Sequence, residues 1–130
     1  MSINKKVLNA TVTEFDGTVY KSKLEARVAK ELDAEGIAFS YESTRFELIP
    51  KHKYLGETVR AMYYTPDFIC GNVIIEVKGF PNDRWPVVRK LIINKIITEN
   101  LDYKFYEIHS VAELRRVINV IKNGDDRESN

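Results

Sequence analysis

Tyr64-Thr65-Pro66-Asp67-Phe68, followed four residues later by Val73-Ile74-Ile75-Glu76-Val77-Lys78-Gly79, is the pair of segments on which the fold and the chemistry turn. The second is a β-branched, apolar run and predicts a buried strand. Side chains two apart on a strand share a face and stand roughly 6–7 Å from each other. Glu76 and Lys78 therefore project together, while Ile75 and Val77 project the other way. Asp67-Phe68-Ile69 is strand-like as well, and Gly71-Asn72 turns the chain into Val73–Lys78. Charged side chains that interrupt a buried strand need partners or a metal, and Gly79 suits a strand that ends at a cleft. Two acids and an amine at one spot suit metal-assisted hydrolysis of a phosphodiester. Lysines near strand edges also protect against aggregation, so these three positions alone do not decide the matter.

The rest of the chain supplies a mixed α/β pattern. Thr11–Tyr20 alternates around Asp16-Gly17, a hairpin signal. Ser22 through Glu35 predicts a helix, with Leu24, Val28 and Leu32 as its apolar stripe and Gly36 as its stop. Ile37–Tyr41 and Arg45–Ile49 predict strands, Pro50 ends the second, and Lys51–Thr58 reads as a polar loop before a strand over Val59–Tyr64. Pro86 suits the first turn of a second helix, to which Val88, Leu91, Ile92, Lys95 and Ile96 give an apolar and a basic side. Tyr103–Ile108 predicts a further strand, and Ser110 caps a last helix through Lys122 that Gly124 ends.

At 130 residues the chain is one domain, 1–130, with bulk enough for a core. Residues 1–9 and 124–130 are expected to be flexible. No apolar run is long enough for a membrane span and no signal peptide is evident, which points to the cytoplasm and away from a membrane partner. The single cysteine, Cys70, excludes an internal disulfide, and His52 and His109 have no zinc-type spacing around them.

Net charge is only +1, yet the charge is unevenly placed. Residues 21–30 carry Lys21, Lys23, Arg27 and Lys30 against Glu25 alone; residues 84–95 carry Arg84, Arg89, Lys90 and Lys95 with no acid. Local basic faces, and not the overall sum, supply phosphate contacts, although either cluster alone also fits a solvated helix face. Glu25 has two readings. Ser22-Lys23-Leu24-Glu25 fits a capping box, with Glu25 reaching back to the helix start, and the same pattern recurs at Ser110-Val111-Ala112-Glu113, where no chemistry is expected. Alternatively, Glu25 turns toward the other carboxylates and holds a metal ion.

Lys21 through Leu32, then Gly36-Ile37-Ala38-Phe39-Ser40-Tyr41-Glu42, Leu48-Ile49-Pro50, Tyr64–Phe68, Ile75–Gly79 and Asp83-Arg84 resemble, in this order, the phage endonuclease I family, Holliday-junction-resolving nucleases of the PD-(D/E)xK superfamily. The likeness covers residues 20–90; residues 1–19 and the last helix resemble the family less. It implies a restriction-endonuclease-like α/β core, a mixed central sheet flanked by helices. It implies that Asp67 and Glu76 bind a divalent metal with the backbone carbonyl of Val77, that Lys78 positions or activates the attacking water, and that Glu25 completes the site. The implied ion is Mg2+, with Mn2+ as a substitute, since hard oxygen ligands and retained waters suit it. The implied partners are branched DNA and a second copy of the chain. Lys23, Arg27, Arg84, Arg89 and Lys90 are the candidates for contacts to the DNA backbone. In the family a β-bridge between the glutamate helix and the Pro-Asp motif crosses to the other subunit. The matching stretch here, Arg45–Pro50, is followed by a longer Lys51–Ala61, so a swapped and an unswapped homodimer both stay open. So do a nuclease of another specificity (flap, mismatch or double-strand cutting) and a non-catalytic DNA-binding module, against which the intact Asp67, Glu76 and Lys78 set speaks.

Overall fold

The computed structural model describes residues 12–80 and 82–124. The termini expected to be flexible, apart from Gly124, lie outside the described residues. The described chain gathers into two compact units. One holds residues 12–39, 77–79 and 107–124, the other residues 40–76 and 80–106 without 81.

The first unit opens with β1 (Thr13–Phe15) and β2 (Thr18–Tyr20), an antiparallel hairpin in which Phe15 faces Thr18. Its two-residue turn is Asp16-Gly17, both at left-handed φ, 51° and 81°. That is the geometry whose twist matches the flanking strands. Helix α1 (Lys23–Ala34) follows, with Ser22 as its N-cap. Its Ala26, Val28, Ala29 and Leu32 are buried. Beyond Glu35 the Gly36 N–H donates to the Asp33 carbonyl and the Ile37 N–H to the Leu32 carbonyl, at a glycine with φ 70°. These bonds close the helix end. They also correct the expected strand over Ile37–Tyr41: the Ile37 N–H terminates α1, and only β3 (Ser40–Tyr41) is extended and paired. Helix α3 (Val111–Asn123) is capped by Ser110 and buries Val111, Leu114, Val117 and Ile118. It packs on α1, with Arg115 3.1 Å from Glu31 and Lys122 paired to Glu35 at the rim.

The second unit carries most of a four-stranded sheet in the order β10-β9-β8-β3, with β8 (Phe68–Cys70), β9 (Val73–Val77) and β10 (Lys104–Ile108). Strands β3, β8 and β9 pair antiparallel. Beside β9, the Lys104 N–H donates to the Asn72 carbonyl and the Lys78 N–H to the Ile108 carbonyl, each at 2.9 Å. Residue numbers rise together along both strands, so β10 runs parallel to β9 and the sheet is mixed. The α/β expectation is borne out.

Strand β4 (Phe46–Ile49) pairs antiparallel with β7 (Met62–Tyr64) of the same chain, Phe46 opposite Tyr64. Between them, the stretch expected to be a polar loop is a second hairpin, β5 (His52–Tyr54) and β6 (Glu57–Val59). The expected strand over Val59–Tyr64 is correspondingly broken at Arg60-Ala61. Helix α2 (Trp85–Thr98) starts with Pro86 in its first turn. It lays Trp85, Val88 and Ile92 into a core shared with Phe46, Tyr64 and Ile74. Cys70 is buried in this unit, and burial pushes its thiol up to about 11, so it stays protonated. No described helix is long and apolar enough to cross a membrane.

Candidate active site

The turn Gly71-Asn72 fixes the register of β8 against β9: Cys70 faces Val73, Ile69 faces Ile74 and Phe68 faces Ile75. Asp67 immediately precedes β8 and Glu76 follows Ile75, the partner of Phe68, so both residues lie at the same end of this strand pair. The backbone of Asp67 is held in place, because its carbonyl accepts from the Glu42 N–H at 2.9 Å. Pro66, fully buried just before it, marks the entry into the strand. Both carboxylates are sunk in the protein, Asp67 at 3% and Glu76 at 5% exposure. Burying one ionised carboxylate is costly and burying two at one end of a strand pair more so, unless cations and hydrogen-bond donors compensate.

One donor is Tyr64. Its hydroxyl donates to Glu76 Oε1 at 2.5 Å, inside the core, at the short end for an O–H bond to a charged oxygen. The phenol is held by Trp85, ring centres 5.7 Å apart, and by Phe105 at 6.5 Å. Tyr64 is the site residue that sequence alone does not single out. Its neighbour Tyr63 and the nearby Trp85 have equal claim there as base-stacking or packing aromatics. Structure separates them. Tyr64 and Trp85 are core, while Tyr63 is exposed with the Arg45 guanidinium 3.9 Å over its ring. The signal in the sequence is the alternation of Met62-Tyr63-Tyr64, which sends Tyr64 inward. Tyr64→Phe keeps the packing and removes the bond. The expected result is a loss of about 1–3 kcal/mol in stability, the cost of leaving a buried acceptor short of a donor, read by urea denaturation.

The other two members of the expected set belong to the first unit. Lys78 is half-buried, one residue past the end of β9, its N–H on the Ile108 carbonyl. Glu25 is buried at 6% exposure in the first turn of α1. Its backbone N–H donates to Ser22 Oγ at 3.1 Å, and its Oε1 accepts the Lys21 N–H at 3.2 Å. The capping reading is thus realised in the structure. The same cap is built on α3, where Glu113 N–H donates to Ser110 Oγ at 3.2 Å and Glu113 Oε1 accepts the His109 N–H. The backbone N–H of His109 is the main reason that the Glu113 carboxyl is held below the usual range.

Among the described residues no three of His, Cys, Asp and Glu gather so as to hold a metal ion by themselves. The side-chain donors at hand are the two buried carboxylates, Asp67 and Glu76, with the Val77 carbonyl next in the chain. That donor set is hard and oxygen-only. It suits Mg2+, which commonly takes one or two carboxylates and completes its shell with water and substrate phosphate. Of the candidate DNA contacts, Lys23 and Arg27 are exposed one turn apart on α1. Arg84, Arg89 and Lys90 are exposed at the start of α2.

No solved structure matches the chain. Endodeoxyribonuclease 1 of Enterobacteria phage T3 is 40% identical over 65 residues, which is 48% of this chain and 38% of that protein. The chain thus matches well under half the length of this relative. The family model for phage endonuclease I matches residues 7–116, through both carboxylates, Lys78 and the Glu25 helix. The chain belongs to the phage endonuclease I family.

Proposed function

We propose that this protein is a divalent-metal-dependent DNA endonuclease of PD-(D/E)xK type that resolves four-way junctions by paired phosphodiester hydrolysis. It acts as a homodimer in the cytoplasm of an infected host cell. The observation that carries the reading is the burial of two carboxylates, Asp67 and Glu76, at the same end of the β8–β9 pair, with Lys78 two residues beyond Glu76. Structural carboxylates are seldom buried, whereas a metal-dependent phosphodiesterase needs carboxylates held in this way.

In this reading Asp67, Glu76 and the Val77 carbonyl would hold Mg2+, with Mn2+ able to replace it. When bound, the ion supplies charge stabilisation to the phosphate and lowers the pKa of a coordinated water. The chain's own residues do the rest. Tyr64 fixes the Glu76 carboxylate in one orientation. Lys78 hydrogen-bonds the incoming water and offsets charge that builds on the phosphate oxygens, an effect strengthened where water is scarce. Glu25, held at the head of α1, is the further carboxylate of the site. Lys23, Arg27, Arg84, Arg89 and Lys90 bind the DNA backbone and set its register without reading sequence.

The test incubates the protein with a four-way junction, a flap, linear duplex and single strand, with Mg2+ and with EDTA. Paired symmetric nicks confined to the junction and the Mg2+ arm are expected. Equal cutting of linear duplex would replace resolution by general nuclease activity.

A further inference from the structure

The β5–β6 hairpin has properties that the fold does not require. Every residue from Lys51 to Thr58 is exposed. A two-stranded hairpin without a buried face gains little from packing. Its register, Tyr54 facing Glu57, leaves Leu55-Gly56 as a two-residue turn, with left-handed φ of 48° and 77°. The first position of such a turn favours Asn, Asp or Gly. A leucine there is disfavoured by its backbone, and at 88% exposure it recovers nothing by burial. Tyr54 beside it is 63% exposed. A strained, solvent-facing apolar tip points to a role outside the fold.

Charge says what kind of partner. The arm carries Lys51, Lys53 and Arg60, with His52, against Glu57 alone. Lys53 is braced across the hairpin by Thr58, its Nζ donating to Oγ1 at 2.7 Å. Basic stems bind phosphates. Apolar side chains at their tips wedge between unstacked bases, and an aromatic neighbour offers a face for stacking.

We propose that the β5–β6 hairpin is a DNA-binding arm whose Leu55 tip enters the opened base stack at a branch point while Lys51 and Lys53 hold the flanking phosphates. This rests on the assignment of the chain as a DNA nuclease and names the element that recognises branched DNA.

The test uses the full chain in EDTA, where binding proceeds without cutting, with a four-way junction carrying 2-aminopurine beside the branch and a matched linear duplex. Asn suits the left-handed turn, so Leu55→Asn keeps the hairpin, and its melting temperature should match or exceed that of the wild type. Junction affinity is expected to fall about tenfold or more, the scale of losing the burial of one leucine side chain. Duplex affinity should hold, and the 2-aminopurine brightening that marks unstacking should disappear. Lys53→Ala should weaken both DNAs alike and lower the salt slope by about one. Wild-type affinity and brightening in Leu55→Asn overturn the proposal. So does a variant that binds normally but sediments as a smaller species, which would make the tip a contact between copies. A wild-type chain that binds neither DNA overturns the arm and the nuclease assignment together; loss of the arm's effect alone leaves the nuclease assignment standing.

Discussion

Asp67→Asn should abolish junction cutting, by on the order of 10³-fold or more, the scale on which charge-stabilising groups are felt in phosphoryl transfer. Binding and fold should survive. The substitution keeps side-chain volume in a site where Asp67 is 3% exposed, so no cavity forms. It also removes one of two buried carboxylates at the same end of the β8–β9 pair. Like charges buried near one another disfavour each other's ionised form. Without metal, the variant should therefore melt no lower than the wild type, and with Mg2+ the wild type should gain stability that the variant does not, because an ion that binds only the folded state stabilises it. Calorimetry of both proteins with and without Mg2+, beside single-turnover cutting, separates the outcomes. A variant that cuts at the wild-type rate removes Asp67 from the chemistry. One that unfolds shows the carboxylate to be structural.

Much of this arrangement is legible in the amino-acid sequence, and the exceptions have physical causes. The turn at Asp16-Gly17 is readable because aspartate and glycine tolerate left-handed φ; Leu55-Gly56 builds the same turn but hides it behind a residue that such turns disfavour. The strand expected from Ile37 is shorter in the fold because β-branching is a local preference, whereas the Ile37 N–H is claimed by the helix before it. The pairing of β8 with β9, which brings Asp67 and Glu76 to one end of the ladder, is readable from spacing, since one short turn between two apolar runs leaves little freedom of register. The Tyr64 bond to Glu76 is not, because it depends on β7 lying against β4, and the long-range partner of a strand is not written in its own residues.

Glu25→Gln should lose cutting by about 100-fold, the range seen when groups supporting a metal site are removed, with only a small change in stability. The amide oxygen of glutamine can still accept the Lys21 N–H that Glu25 Oε1 accepts now, so the cap persists. What disappears is a negative charge at the head of α1, about 0.3–1 kcal/mol of interaction with the helix dipole. The chain carries its own control. Glu113→Gln makes the same change in the same cap, on α3, where Glu113 accepts the His109 N–H and follows Ser110 by the same spacing. The carboxyl of Glu113 is held low chiefly by that backbone bond. Its contribution is present above the ordinary carboxylate range and lost as pH falls through the lowered value, so Glu113→Gln should cost stability at neutral pH and nothing in strong acid. The two glutamates differ in burial. Glu113 has 38% of its side chain exposed, as a cap allows, while Glu25 is 6% exposed, which capping does not require. Burial of a charge beyond the needs of the cap is the physical reason to expect chemistry at Glu25 and not at Glu113. Paired melts and cutting assays of the two variants decide it. Equal small losses of stability with cutting lost only in Glu25→Gln place Glu25 in the reaction, whereas full cutting by both variants reduces it to the cap that it visibly is.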